Sequence, residues 1–234
     1  MTYLGSKKKY SKYIVPILQK AIDENNIDTF VDCCVGGSNI IKEIKAKNRI
    51  GIDNNKYLIA LMKEMQKPNF DFPKKTTRED WDKAKEYNNS LPDWYIGLTF
   101  IFSSYNTRGF AGGFIHGEIG EKQYNGRVNT AKKDIPKILN IKYFCLDYHD
   151  LINFQNCVIY VDPPYAGTKK YDTSKDFNYE EFWQIIRKIS KNNIVFVSEM
   201  HAPEDFKIVW EMEVKRTIGN RTIKAIERLY KYNF

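Results

Sequence analysis

Histidine, cysteine and long apolar runs are all scarce in this chain: three histidines and four cysteines stand among 234 residues. His116, His149 and His201 lie far apart, and Cys33, Cys34, Cys145 and Cys157 form no Cys-x-x-Cys pair, so no zinc-site spacing exists. Adjacent cysteines bridge each other only with difficulty. Three of the four thiols fall in apolar runs that read as strands, where a reduced, buried thiol is expected. No apolar run approaches the roughly 20 residues that a membrane-spanning helix needs. The N-terminus is basic, but Ile14-Val15-Pro16-Ile17-Leu18 is too short and proline-broken for the core of a signal peptide. The expectation is a reduced, cytoplasmic, soluble protein with no metal and no membrane partner. A Gly-x-Gly-x-x-Gly run is also missing, which argues against a nicotinamide site, and no internal repeat is visible.

What is present points to a packed α/β protein. Hydrophobic residues make up 42% and aromatic residues 15%, too much for a disordered chain. Lys and Arg number 37 against 29 Asp and Glu; the resulting charge of +8 suits a polyanionic partner without proving one.

Ile14, Val15, Leu18, Ala21 and Ile22 share one helical face, predicting a helix over 11–25. Residues 29–35 are β-rich and run into Gly36-Gly37-Ser38. Ile40, Ile41, Ile44 and Ala46 predict a second helix. Residues 49–53 read as a strand closing on an acid, and 57–65 as a further helix. This strand–helix alternation opens a doubly wound parallel sheet.

From Pro68 to about Lys137 the chain becomes rich in aromatics, Gly, Asn and basic residues; 77–89 read as helical and 94–103 as strongly apolar. This stretch is expected to be an inserted lobe, since it holds too many aromatics for a solvated tether. Strands are predicted again at 141–146 and 157–161, a helix at 179–190 and a fully buried strand at 194–198. An antiparallel strand pair is predicted at a sheet edge from 214 to 232.

The chemistry concentrates at Asp162-Pro163-Pro164-Tyr165, directly after the apolar strand Val158-Ile159-Tyr160-Val161. Open α/β sheets place ligands at such carboxyl ends. A carboxylate at Asp162 and the backbone carbonyl of Pro163 can each accept one hydrogen of an exocyclic amino group such as adenine N6. Accepting both favours a tetrahedral nitrogen whose lone pair is free to attack. Two prolines fix φ and stiffen the turn, and Tyr165 offers a ring to stack on an extruded base. A plain Asp-Pro-Pro turn is the bland alternative.

With this motif the chain resembles the Dam-like (D12 class) DNA adenine N6-methyltransferases over most of its length and in the family's order of parts. Tyr3-Leu4-Gly5-Ser6-Lys7 is similar to the family's aromatic-x-Gly-Gly-Lys segment, which implies that Tyr3 and Lys7 contact the methyl donor; Ser6 replaces the second glycine. Phe30-Val31-Asp32-Cys33-Cys34-Val35-Gly36-Gly37-Ser38 resembles the donor-binding loop, which implies roles for Asp32, Gly36 and Gly37. Cys33 and Cys34 stand where Pro-Phe is usual, and Ser38 where a third glycine is. Asp53, about 20 residues beyond the first strand, can take both hydroxyls of a ribose, as in dinucleotide folds, and the family places its ribose acid here; capping the next helix is a compatible role. Asp147 occupies a position where the family often has a polar residue against the donor's adenine edge.

The resemblance implies a Rossmann-like methyltransferase sheet, mostly parallel with an antiparallel edge strand. Residues 1–67 and 138–234 would form the catalytic domain and 68–137 an inserted target-recognition domain. S-adenosyl-L-methionine is the implied donor, Asp162, Pro163 and Tyr165 the catalytic residues with Asp162 also bordering the donor, and a flipped-out adenine of double-stranded DNA the acceptor. Within the insert, Tyr105, Asn106, Arg108, Gly109, Arg127 and Asn129 carry groups suited to base edges and phosphates. Other acceptors (cytosine N4, RNA, a protein glutamine) and a non-catalytic DNA-binding relative are the alternatives. Neither the recognition sequence nor a restriction endonuclease counterpart follows from the residues.

Overall fold

The computed structural model describes residues 1, 3, 5–87, 90–164, 177–218 and 221–232, with backbone alone for 215–218 and 221–223. Seven strands form one sheet: β1 (Thr29–Cys33), β2 (Asn48–Asp53), β3 (Ile141–Cys145), β4 (Cys157–Val161), β5 (Ile194–Glu199), β6 (Phe206–Ile218) and β7 (Arg221–Tyr232). Their order across the sheet is β3-β2-β1-β4-β5-β7-β6. The first five run parallel, β7 is antiparallel to β5, and β6 is antiparallel to β7. This is the expected α/β class, a mostly parallel sheet with an antiparallel edge. The edge pair begins at Phe206, eight residues before the alternation announced it.

Burial follows from the pleat. Phe30 and Val31 are neighbours in β1, yet they belong to different apolar clusters, one on each face of the sheet. Val158 and Ile159 divide in the same way. Both faces are therefore covered, as a parallel sheet requires. Helices α1 (Ser11–Glu24) and α2 (Lys56–Met65) cover one face; α6 (Tyr179–Ser190) covers the other through Phe182, Ile186 and Ile189.

Residues 40–46 do not form the predicted helix. Only a 3-10 turn, Ile41–Glu43, is present, and Ile44 is already extended. Isoleucines at helical spacing served here as a buried plug: residues 35–42 are all buried, and the Ile41 amide donates to the Asp32 carboxylate at 3.2 Å.

Residues 68–137 contain α3 (Arg78–Lys85) and α4 (Asp93–Phe102), and α5 (Gly117–Ile138) starts there and ends one residue beyond. Leu98, Ile101 and Phe102 of α4, with Tyr124, Val128 and Ala131 of α5, share the apolar cluster of α1 and α2. Helix α4 is apolar nearly all round, the pattern of a buried helix. Cys33 and Cys157 are buried, Cys34 is half-buried and Cys145 is exposed; all four are free thiols. Among the described residues no helix is long and apolar enough to cross a membrane.

Helix α4 crosses α2 at Gly97, where a Cβ would sit 2.2 Å from the Tyr57 carbonyl oxygen. Gly97→Ala must push the helices apart, and overpacking of this kind costs about 1–3 kcal/mol. The expected result is a melting temperature lower by several degrees, measured by calorimetry. An unchanged or raised value would mean that the helices do not meet at this backbone contact.

Candidate active site

Chain order reverses at β1, which lies between β2 and β4, and this switch point is where open α/β sheets hold ligands. Register sets the ends level: Cys33 is opposite both Ile52 and Val161. Asp53 and Asp162 therefore emerge on either side of the loop that follows Cys33. The ladder continues into that loop, with the Asp162 amide donating to the Cys33 carbonyl at 3.2 Å.

Asp32, Asp53 and Asp162 converge here, and each is compensated differently. Burial pushes the Asp32 carboxyl well above its ordinary range; the Ile41 amide opposes this, and the charges of Asp162 and Asp53 add to it. Burial also raises Asp53, opposed by the amides of Asn55 and Gly36 at 3.0 and 3.1 Å, one on each carboxylate oxygen. A carboxylate offers about four acceptor positions, so these two bonds leave capacity for hydroxyl donors. The capping role that competed for Asp53 is taken by Asn55, whose side chain accepts from the Tyr57 and Leu58 amides. Asp162 is held by Lys7, with Nζ 2.7 Å from Oδ1 and the two side chains only 8% and 17% exposed.

That ion pair spans 155 positions of sequence and draws the N-terminal segment over the loop. Tyr3 packs against Gly36, where φ is +47° and a Cβ would lie 3.0 Å from the ring. At Gly37 a Cβ would meet the Met1 carbonyl at 2.6 Å. The glycine pair is thus demanded by the chain lying over it, and the Gly36 amide is already committed to Asp53. Ser6, at the family's second glycine, accepts from the Lys8 amide and from Asn39 Nδ2. Asn39 also donates to the Met1 carbonyl, so it stitches the segment to the loop. Ser38 adopts φ +56°, in the left-handed region that favours glycine, and its hydroxyl pairs with Tyr143 at 2.9 Å.

Pro163 is buried behind Asp162. The Tyr179 hydroxyl, from the start of α6, donates to the Pro164 carbonyl at 2.6 Å, clamping the proline turn from the opposite element. Asn39 and Tyr179 carry no sequence signal, because their partners are distant in the chain. Tyr165 lies outside the described residues. Asp147, at the end of the β3 segment, caps the 3-10 turn Tyr148–Asn153 and binds His149, which also reaches Glu181 at 3.3 Å.

Tyr105, Asn106 and Arg108 are exposed on a compact loop after α4, closed by a bridge between Ser104 and Phe114. Asn106, Thr107 and Gly109 all have positive φ, which is strained for the β-branched Thr107. Gly109 lies over the Phe100 ring. Asn129 is exposed on α5. Arg127 is half-buried, and its Nη1 binds the carbonyls of Ile101, Phe102 and Ser104, closing the end of α4. Among the described residues no group of His, Cys, Asp and Glu could hold a metal ion.

No protein-family model matches the chain. It is 25% identical over 193 residues to the type II methyltransferase M.FokI of Planomicrobium okeanokoites. That match takes in 72% of this chain and 29% of the relative, so the chain spans under a third of that protein's length. Among solved structures it superposes on a candidate methylase of Haemophilus influenzae with a TM-score of 0.36 and 11% identity, covering 100% of this chain and 92% of that one. An rRNA methylase of Streptococcus thermophilus gives 0.35 and 9%, covering 94% and 97%. The fold assignment rests on the strand order alone.

The Lys7–Asp162 pair is testable without any ligand. Lys7→Met and Asp162→Asn are each expected to lower the unfolding free energy, and the double variant to fall short of their sum by about 1–3 kcal/mol. Additive effects in urea melts would show that the pair is not energetically coupled.

Proposed function

We propose that the chain is a site-specific DNA adenine N6-methyltransferase that uses S-adenosyl-L-methionine. The observation that carries the reading is the meeting of Asp162 and Lys7 beside Asp53 and the Gly36-Gly37 turn at the switch point. These residues fit the donor chemically: a sulfonium is cationic, and three converging carboxylates with one lysine favour a cation over an anion. Asp53 would hold the ribose, Tyr3 and the Gly36-Gly37 turn would pack along the donor, and Asp147 would lie towards its adenine edge. Asp32 would support the loop from below. When bound, the donor supplies an electrophilic methyl group.

The chain's own part is to make an amino group nucleophilic. Asp162 and the Pro163 carbonyl accept the two hydrogens of the target nitrogen, localising its lone pair. Lys7 occupies one acceptor position of Asp162 and fixes the direction of the rest. Tyr179 holds the turn that aims the Pro163 carbonyl, and Tyr165 is the stacking residue for a base drawn from the duplex. Residues 68–137 form the target-recognition part on residues 1–67 and 138–234, with Tyr105, Asn106 and Arg108 on its exposed loop and Asn129 on α5. Arg127 contributes through that loop, since it grips the Ser104 carbonyl at its root. The relation to a type II DNA methyltransferase and the basic charge favour DNA over a protein side chain. The aspartate before the prolines favours adenine over cytosine N4.

Asp162→Ala is expected to abolish methyl transfer while leaving donor binding largely intact, read by nucleoside analysis of methylated DNA and by calorimetry. Robust transfer by this variant would remove the mechanism, and N4-methylcytosine in the wild-type product would change the acceptor.

Donor binding should also release protons. Asp53 is raised in the free protein, and a cation with hydroxyl donors favours its ionised form, so donor affinity rises as pH climbs through that raised value. Binding enthalpies that vary with the ionisation heat of the buffer, and vary less in Asp53→Asn, are expected. Buffer-independent enthalpies would contradict the placement of the donor on Asp53.

A further inference from the structure

The β6–β7 hairpin is longer than the sheet can use. Strand β7 pairs with β5 over four rungs only, from Phe196 opposite Lys231 to Glu199 opposite Arg228. Beyond Arg228 the two hairpin strands continue to pair with each other alone, through to Ile218 opposite Arg221. The direction of this overhang follows from register. Val197 lies level with Val161 and Tyr230, so Arg228 is level with the residues just after Asp162. Residues 221–227 therefore extend past the carboxyl ends of the parallel strands, the same end as the candidate site. Seven residues at about 3.3 Å each carry the ribbon roughly 20 Å outward.

Charge changes along the hairpin. Where β7 pairs with β5, residues 206–211 and 228–232 hold Lys207, Arg228 and Lys231 against Glu211. The overhang starts with Glu213 and Glu227 at its root; beyond them, residues 214–226 hold Lys215, Arg216, Arg221 and Lys224 and no acid. Register places positions 215 and 224 on one rung. Lys224 is ion-paired with Glu213 at 3.0 Å, so the cationic stretch is anchored at its root by that acid.

We infer that the overhanging half of the β6–β7 hairpin is a second nucleic-acid arm, laid along duplex DNA beside the base that enters the site. This rests on the methyltransferase reading for its acceptor, and it adds a contact outside residues 68–137. A two-stranded ribbon fits the major groove of B-form DNA, which is about 12 Å wide; the corresponding groove of A-form RNA is too narrow to admit it. Lysine and arginine act there chiefly on phosphates, so the arm sets register and affinity and leaves base choice to other residues.

The test compares wild type with the combined variant Lys215→Gln, Arg216→Gln, Arg221→Gln and Lys224→Gln, and with a charge-preserving control, Lys215→Arg and Lys224→Arg. Binding to a mixed-sequence DNA duplex of about 20 base pairs is measured across salt concentrations, with S-adenosyl-L-methionine affinity as the check of folding. The neutral variant is expected to bind DNA at least about tenfold more weakly, with a slope of log affinity on log salt shallower by about 2–4. Its donor affinity should be unchanged, and the control should match wild type. An unchanged slope in the neutral variant overturns the arm even where wild type methylates DNA. A larger loss on an RNA duplex than on DNA overturns it too, by assigning the ribbon to another partner. Wild-type protein that binds donor but no duplex would remove the DNA reading itself, an outcome visible before any variant is made.

Discussion

Gathering three carboxylates at one end of a sheet, with Asp32 and Asp53 buried, is costly, and the local structure around the switch point is organised to offset that cost. Asp32 feels the charges of Asp53 and Asp162 on top of its own burial. Each acid has a dedicated donor: the Ile41 amide, the Gly36 and Asn55 amides, and the Lys7 ammonium. An unpaired buried charge is far more damaging than a missing surface contact. The 3-10 turn after the loop, the glycine turn itself and the N-terminal segment are consequently tied to the sheet edge by electrostatics as much as by packing.

How much of this could be read from residues alone depended on whether the partners were close in sequence. Strands β1, β2 and β4 were legible because a short apolar run ends abruptly on an acid or a glycine turn. Helix α6 was legible because Phe182, Ile186 and Ile189 keep helical spacing, and its bounds fell at 179 and 190 as read. The same rule failed at residues 40–46, since isoleucines at that spacing also suit a segment buried on every side. Helix α5 was hidden by Gly117, Gly120 and Gly126, poor helix formers that packing overrides. The convergence of Asp53 and Asp162 was suggested by strand-end positions, but Asn39 and Tyr179 were not legible, because each acts on a carbonyl that only the fold brings near. Arg127 carries a guanidinium suited to base edges and phosphates; in the fold its Nη1 binds three carbonyls at the end of α4, partners that the sequence does not show.

That closure ties the exposed loop to the scaffold. Helices α4 and α5 share one apolar cluster with the sheet, so the loop between them is mounted on the core. Arg127 grips its root at the Ser104 carbonyl, the Ser104–Phe114 bridge closes it, and Phe110 packs against Trp81 and Phe100 beneath it. Left-handed backbone at Asn106 and Thr107 costs free energy that persists only when the surroundings impose it. A loop held in one conformation leaves the exposed Tyr105, Asn106 and Arg108 on an already ordered backbone.

The reach of the hairpin is decided by where β5 stops. At Glu199 the strand turns away: the Met200 amide bonds back to the Glu199 carboxylate at 2.7 Å. The Met200 carbonyl, which would otherwise continue the ladder, instead accepts from the Arg228 guanidinium and the Tyr230 hydroxyl. Pro203 follows, which could not donate to a central ladder in any case. Side chains of β7 thus seal the last rung of β5, and the residues of β7 that precede Arg228 are left with β6 as their strand partner. Had β5 run on, the cationic positions would lie inside a seven-stranded sheet, where uncompensated charge is disfavoured. Because it ends level with Asp162, those positions are carried beyond the site's own edge. The fold thereby sets the carboxylates of the switch point at the same end of the sheet as the cationic part of the ribbon.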